Sequence, residues 1–244
     1  MLYLQCKKRF RLKCTLLCVY LLLCFSAFAQ RELNMEDHDL KAYYFGISLG
    51  FNSASFHSEL HPSFIDQDSI ITAEPLRSVG FNLGLSTTAR LNQRFEFRFN
   101  PQLIFLDRTI QYNLRYPSPY ENSLLVQKKV ESVITSFPFQ IRFLSDRIGN
   151  FRVYMMGGGK IDLDLASNAQ ARKADDMIKI ERADYGIEGG IGFKLYYPSF
   201  ILAPEIKISN GLRNIHTRNE KLNYSSVLDR MTSRMIVFTI HLEG

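Results

Sequence analysis

The sequence predicts an all-β fold: an eight-stranded antiparallel up-and-down transmembrane β-barrel with short periplasmic turns and four long extracellular loops. Three observations predict it. Segments of about ten residues alternate apolar with polar side chains. The connections between them run long, short, long, short, long, short, long. After the N-terminal leader no segment holds 18 consecutive apolar residues, so the chain offers no helical span. The alternation is plainest in Arg94-Phe95-Glu96-Phe97-Arg98-Phe99-Asn100, where phenylalanine takes every second position. On a strand, successive side chains point to opposite faces, so this stretch has one aromatic face and one charged face.

The leader comes first. Lys7, Lys8, Arg9, Arg11 and Lys13 precede an apolar run from Thr15 to Phe25 that ends in Ala27-Phe28-Ala29. A basic segment, a short apolar core and an A-x-A site form a secretory signal peptide, with cleavage expected after Ala29. The run, 11 residues from Thr15 to Phe25, is shorter than the roughly 20 a spanning helix needs. Cys24 follows Leu23, where a lipoprotein signal wants a small residue. Residues 1–29 are thus read as leader, 30–42 as a short polar periplasmic lead-in, and 43–244 as barrel. Without the leader's five bases the formal charge of +6 falls to 25 basic against 24 acidic residues, which removes the electrostatic case for nucleic acid. All four cysteines (Cys6, Cys14, Cys18, Cys24) leave with it, and with them any disulfide or cysteine metal site.

Eight alternating segments follow. The first sets Tyr43, Phe45, Ile47, Leu49 and Phe51 on one face, and the second Val79, Phe81, Leu83 and Leu85. The third is the Phe95 stretch, extended through Leu103 and Phe105. The fourth presents Val133, Phe137, Phe139, Ile141 and Phe143. The fifth presents Phe151, Val153, Met155, Ile161 and Leu163. The sixth carries Tyr185, Ile187, Ile191, Phe193 and Leu195, the seventh Phe200, Leu202, Ile206 and Ile208, and the eighth Ile236, Phe238, Ile240 and Leu242. Each suits the roughly 9–11 residues of a tilted membrane strand. The long connections are read as residues 54–78, 108–130, 164–181 and 209–234, and the short ones as the turns near 91–93, 145–150 and 198–199. Long loops outside and short turns in the periplasm are the habit of outer-membrane barrels.

On that orientation Tyr43, Phe95, Phe143, Phe151, Tyr197 and Phe200 gather at the periplasmic rim, where an interfacial aromatic girdle belongs. By parity the interior carries Glu96, Asp162, Asp184, Glu188 and Glu205 together with Arg98, Arg142, Arg152, Lys160, Arg182, Lys194 and Lys207. Eight strands enclose room for side chains and not an open channel, so an ion-pair core is expected. Glycines on that face, among them Gly190 and Gly192, are read as making room for long arginine and lysine chains.

Chemical motifs are scarce. Gly157-Gly158-Gly159-Lys160 lacks the outer glycine and the following Ser or Thr of a phosphate loop, and reads as a close-packed strand. His57 and His61 have helical metal spacing without the glutamate directly after the first histidine. The one H-x-S, His61-Pro62-Ser63, falls in a loop and not on the strand a barrel lipid deacylase would need. No catalytic, metal or cofactor residues are assigned, and no small-molecule substrate is expected.

Tyr44-Phe45-Gly46-Ile47-Ser48-Leu49-Gly50-Phe51-Asn52, Gly186-Ile187-Glu188-Gly189-Gly190-Ile191-Gly192-Phe193 and Pro204-Glu205-Ile206-Lys207, with the leader and long first loop, resemble the PorT/SprT family of outer-membrane barrels. The resemblance covers essentially the whole chain after the leader. It implies a non-enzymatic component of the type IX secretion system, which exports surface proteases and gliding adhesins. Its implied partners are outer-membrane lipid and other secretion-system proteins, met through loops or the periplasmic rim. The alternatives are a structural or adhesive envelope barrel and a lipid-modifying barrel enzyme.

Overall fold

The computed structural model describes residues 32–62, 70–117, 123–166, 180–217 and 223–244. The expected leader, with its cleavage site and Cys24, lies outside the described residues. Met35–Gly244 forms the unit described below, and Met1–Asn34 is a separate one.

Eight antiparallel wall strands close into a ring. The first is β1 (Tyr43–Leu60). The second is β2 (Ile70–Leu76) continued by β3 (Ser78–Arg90), and the third β4 (Phe95–Phe99) continued by β5 (Gln102–Leu114). Then come β6 (Leu125–Leu144), β7 (Phe151–Asp164), β8 (Ala183–Tyr196), β9 (Ile201–Gly211) and β10 (Leu228–Glu243). A short helix, α1 (Asn223–Ser226), precedes β10. The ring closes where β1 pairs with β10, from Gly46 opposite Glu243 to Leu60 opposite Leu228. Closure is what the hydrocarbon layer demands, because an unpaired strand edge would leave backbone N–H and C=O groups unsatisfied in lipid.

The break between β4 and β5 has a local cause. Pro101 has no N–H to give the ladder, and Pro138 faces the same seam, its carbonyl accepting from Asn100 N at 3.3 Å. The break leaves the facing pattern intact: Arg98, Asn100 and Gln102 all point inward, and Phe97 and Leu103 outward.

The apolar faces expected from the sequence are the outward faces. Phe45, Ile47, Leu49 and Phe51 of β1 are exposed, as are Ile187, Ile191 and Phe193 of β8 and Phe238, Ile240 and Leu242 of β10. The expected loop boundaries differ from the structure. Strand β1 continues nine residues past Phe51 to Leu60, β5 reaches Leu114, β6 begins at Leu125, and β2 lies within the stretch 54–78 read as loop. These extensions stand beyond the lipid belt with water outside them, and their facing chemistry inverts accordingly. Outward residues become polar (His57, Glu59, Gln127, Glu131, Arg230), while the inward ones become Phe56, Ile110, Tyr112, Leu114, Val126 and Met231. Ile180, Ile215 and Val227 from the loops join that apolar cluster and close the outer end.

The lead-in also departs from a plain polar tether. Glu36–Leu40 forms a 3-10 helix with His38 buried.

An arginine in place of Ile191, within the lipid belt, is expected to lower folding stability in bilayers by about 2–4 kcal/mol. The same substitution at His57, outside the belt, is expected to change it by less than about 0.5 kcal/mol. Urea titration of vesicle-inserted protein, read by heat-modifiable migration, checks both; equal effects would rule out the belt boundary drawn here.

Candidate functional site

Inside the belt, strand parity brings the charged residues together in layers. Nearest the short turns, Arg142 of β6 lies 2.9 Å from Glu96 of β4 and 2.8 Å from Glu243 of β10. Lys194 of β8 meets the same two carboxylates at 3.1 and 3.3 Å. The Tyr44 hydroxyl of β1 donates to Glu96 at 2.8 Å and accepts from Lys194 at 2.7 Å. Two cations and two anions thus neutralise one another, and the tyrosine fills the space between them.

One layer further in, Arg98 contacts Glu205 at 2.5 Å, and Tyr154 donates to the same oxygen at 2.9 Å. His241 sits 3.2 Å from Arg98 and 3.7 Å from Glu205. Next, Lys207 pairs with Glu188 at 3.1 Å, and Gln140 bridges Glu188 to Arg98. Lys160 pairs with Asp162, which also accepts from Ser136 at 2.5 Å. Arg108 then bonds Asp164 at 3.3 Å and Ser132 at 2.7 Å, its guanidinium 4.6 Å from the Phe56 ring. It marks the change from ionic to apolar interior. A cleft lined by Arg108, Asp162, Asp164, Asp184 and Ser233 has a volume of about 10 Å³, room for about one water molecule.

The structure places each interior residue named from the sequence as follows. Glu96, Arg98, Arg142, Lys160, Asp162, Asp184, Glu188, Lys194, Glu205 and Lys207 are buried in the lumen, and Arg152 at its short-turn mouth. Arg182 is the exception: it precedes β8 and is exposed, because strand parity does not bind a residue outside the ladder. Tyr44 and Tyr154 lie on the polar faces read from the sequence but were not counted in the ion-pair core; Glu243 was missed, and Arg108 and Asp164 fell in the stretches 108–130 and 164–181 read as loops although they share the parity of Arg98 and Asp162. The two glycines named for this role differ: a Cβ at Gly190 would lie 2.8 Å from Lys207 Cβ, so that glycine does adjoin a lysine. A Cβ at Gly192 would lie 2.5 Å from the Tyr154 ring, so this glycine seats a tyrosine and not a lysine or arginine.

The aromatic residues named for the rim stand together at the short-turn end. Phe95 faces Phe143 across the ladder with ring centroids 5.2 Å apart. Tyr197 stacks on Phe200 at 5.0 Å, Phe151 lies 5.7 Å from Phe193, and Tyr43 lies 6.0 Å from Phe45. All six of Tyr43, Phe95, Phe143, Phe151, Tyr197 and Phe200 are exposed on the outer wall.

Within that rim the mouth is occupied by the 3-10 helix. Asp39 receives Arg147 at 2.9 Å, Arg152 at 3.5 Å and Arg90 at 3.7 Å, and Arg90 also donates to the Asp39 carbonyl. His38 packs its ring 4.4 Å from Tyr44 and 6.4 Å from Tyr196, with neither ring nitrogen hydrogen-bonded. Burial, with Lys194 next, lowers the His38 pKa to about 4; Glu243 opposes the shift, and Arg90 and Lys41 add to it.

Two predictions follow from these contacts. Lys207→Met leaves Glu188 charged and buried, and is expected to cost about 3–5 kcal/mol in unfolding measurements, most of it recovered by adding Glu188→Gln. For His38 the docked value lies below the ordinary one, so protons favour the undocked state. Docking of Glu36–Leu40 is therefore full above about pH 6.5 and weakens as pH falls toward about 4, by up to about tenfold per pH unit. Protease cleavage after Lys41 should rise across that window, and His38→Phe should abolish the dependence.

A search of curated proteins returned no match. Among solved structures, the chain is similar to Neisserial surface protein A (10% identity, 81% of this chain and 96% of that one, TM-score 0.43). It is also similar to the outer membrane protein OprG from Pseudomonas aeruginosa (15%, 83% and 95%, TM-score 0.46). A third is Ail, the attachment invasion locus protein of Yersinia pestis, solved with the heparin analogue sucrose octasulfate (12%, 84% and 100%, TM-score 0.38). Residues 28–217 match the family model described as outer membrane protein beta-barrel domain. With a closed eight-strand ring, a lipid-facing apolar belt and a match over most of its length, the chain belongs to the outer membrane protein beta-barrel domain family.

Proposed function

We propose that this barrel is a non-enzymatic accessory of protein export across the outer membrane, serving the type IX secretion system through protein contacts and not as its conducting pore. One observation carries the non-conducting part of this reading. The lumen is filled from the Arg142–Glu96–Glu243 layer at one end to the Phe56–Ile110–Met231 cluster at the other. A polypeptide would have to displace paired buried charges at every layer, at several kcal/mol each by the usual cost of unpairing, roughly 3–5. Contacts are therefore left to the two ends. The link to type IX export rests on the resemblance of Tyr44–Asn52, Gly186–Phe193 and Pro204–Lys207 to the PorT/SprT family.

Deleting the gene is expected to leave surface proteases inside the cell envelope, as judged by protease activity on intact cells and by immunoblotting of periplasmic fractions. Undiminished surface activity would overturn the export role, and a weakened envelope with normal export would favour a structural barrel. Altered lipid acylation in the same strain would favour an enzyme.

A further inference from the structure

The short-turn mouth has features of a receptor site already holding a ligand. Two of its three arginines are positioned by groups other than Asp39. Arg152 donates to the carbonyls of Ser145 at 2.7 Å and Gln93 at 2.6 Å. Arg147 donates to the carbonyl of Gly149 at 2.9 Å and to Asn150 at 3.2 Å, and lies 3.8 Å over the Tyr196 ring. Arg90 is held within 3.4 Å of Glu96. These partners belong to the turns β3–β4 and β6–β7 and to strand ends, so Arg147 and Arg152 keep their positions whatever carboxylate they face, while Arg90 is shared between Glu96 and the Asp39 carbonyl. Arginine forks set in this way are preorganised for carboxylates.

The resident fits less well than the cradle. Asp39 remains about a third exposed. The 3-10 helix is entered through Met35 at φ 52°, a left-handed conformation that costs a residue with a Cβ about 1–2 kcal/mol. His38 is buried without a hydrogen bond to either ring nitrogen, which wastes the solvation both had in water. A short segment with one strained entry and one unsatisfied side chain is a displaceable occupant.

We propose that the periplasmic mouth is a docking site for an acidic peptide segment of a partner protein, with Asp39 of the chain's own lead-in as the resident that the partner displaces. A peptide is favoured over a lipid headgroup by position. The arginines lie inside the mouth and are largely buried, whereas lipid meets the outer wall beyond Phe95, Phe143 and Phe151. The present occupant is itself a peptide carboxylate. The proposal rests on the reading that this barrel works through protein contacts at its ends; it does not depend on which export route it serves.

The test uses the full-length barrel in nanodiscs and a fluorescein-labelled peptide of the sequence Glu-Asp-His-Asp-Leu, with a Gln-Asn-His-Asn-Leu control. Asp39→Asn removes the competing carboxylate from the cradle and is expected to tighten binding of the acidic peptide at least about tenfold, with no gain for the control. Arg147→Gln in that background is expected to return the affinity to the parent level or below. If Arg152→Gln fails to insert by heat-modifiable migration, Arg147→Gln decides alone. Equal gain for both peptides, no gain for either, or displacement by millimolar inorganic phosphate but not by acidic peptide would overturn the proposal. Peptide binding in a protein whose deletion leaves export normal would overturn the export reading and leave the cradle standing. Export that fails on deletion but is normal for Arg147→Gln, with no peptide bound, would overturn the cradle alone.

Discussion

Arg142 holds Glu96 and Glu243 at 2.9 and 2.8 Å, and Lys194 closes the same square from the opposite wall. These four side chains come from β6, β4, β10 and β8; β4 and β6 are ladder neighbours with Glu96 opposite Arg142, and the network ties that pair to β8 and β10, which share no ladder with it or with each other. The barrel's other features depend on this arrangement. Lipid outside forces the polar side chains inward, and an eight-strand lumen is too narrow to hydrate them. The Arg98, Arg142, Lys160, Lys194 and Lys207 cations can stay because each is met by a carboxylate.

The inversion beyond the belt follows from the same constraint with the solvent changed. Where β1 leaves lipid at Phe51, its outward residues turn polar and its inward ones turn to Ala54 and Phe56. Strands β5, β6 and β10 make the same change, and Arg108 sits at the boundary, bonded to Asp164 on one side and stacked on Phe56 on the other. One tube therefore holds two cores, ionic within the membrane and apolar above it. Each is the complement of the solvent outside the wall.

The two ends of the filled lumen differ in chemistry. The outer end is closed by an apolar cluster. The short-turn end carries exposed aromatic residues on the outside and Arg90, Arg147 and Arg152 around Asp39 within.

The sequence by itself determined the ring, the lipid-facing residues and most of the ion-pair core, because a strand's two-residue period ties each side chain's face to its position in the chain. The Phe95–Asn100 stretch was enough to set Glu96 and Arg98 inside. The same reasoning ended the strands too early. At Ala54, Asp107 and Arg234 the apolar residues change from the odd to the even face or the reverse, and a reading that follows one apolar face takes that change for a loop. Which charges pair was a matter for the tertiary structure alone. Glu243 and Arg142 are 101 positions apart in sequence and meet only once the register of every strand is fixed. The mouth was hidden for the same reason. Nothing local marks Asp39 as a ligand, and its three arginines come from the end of β3, the β6–β7 turn and the start of β7, brought together by ring closure.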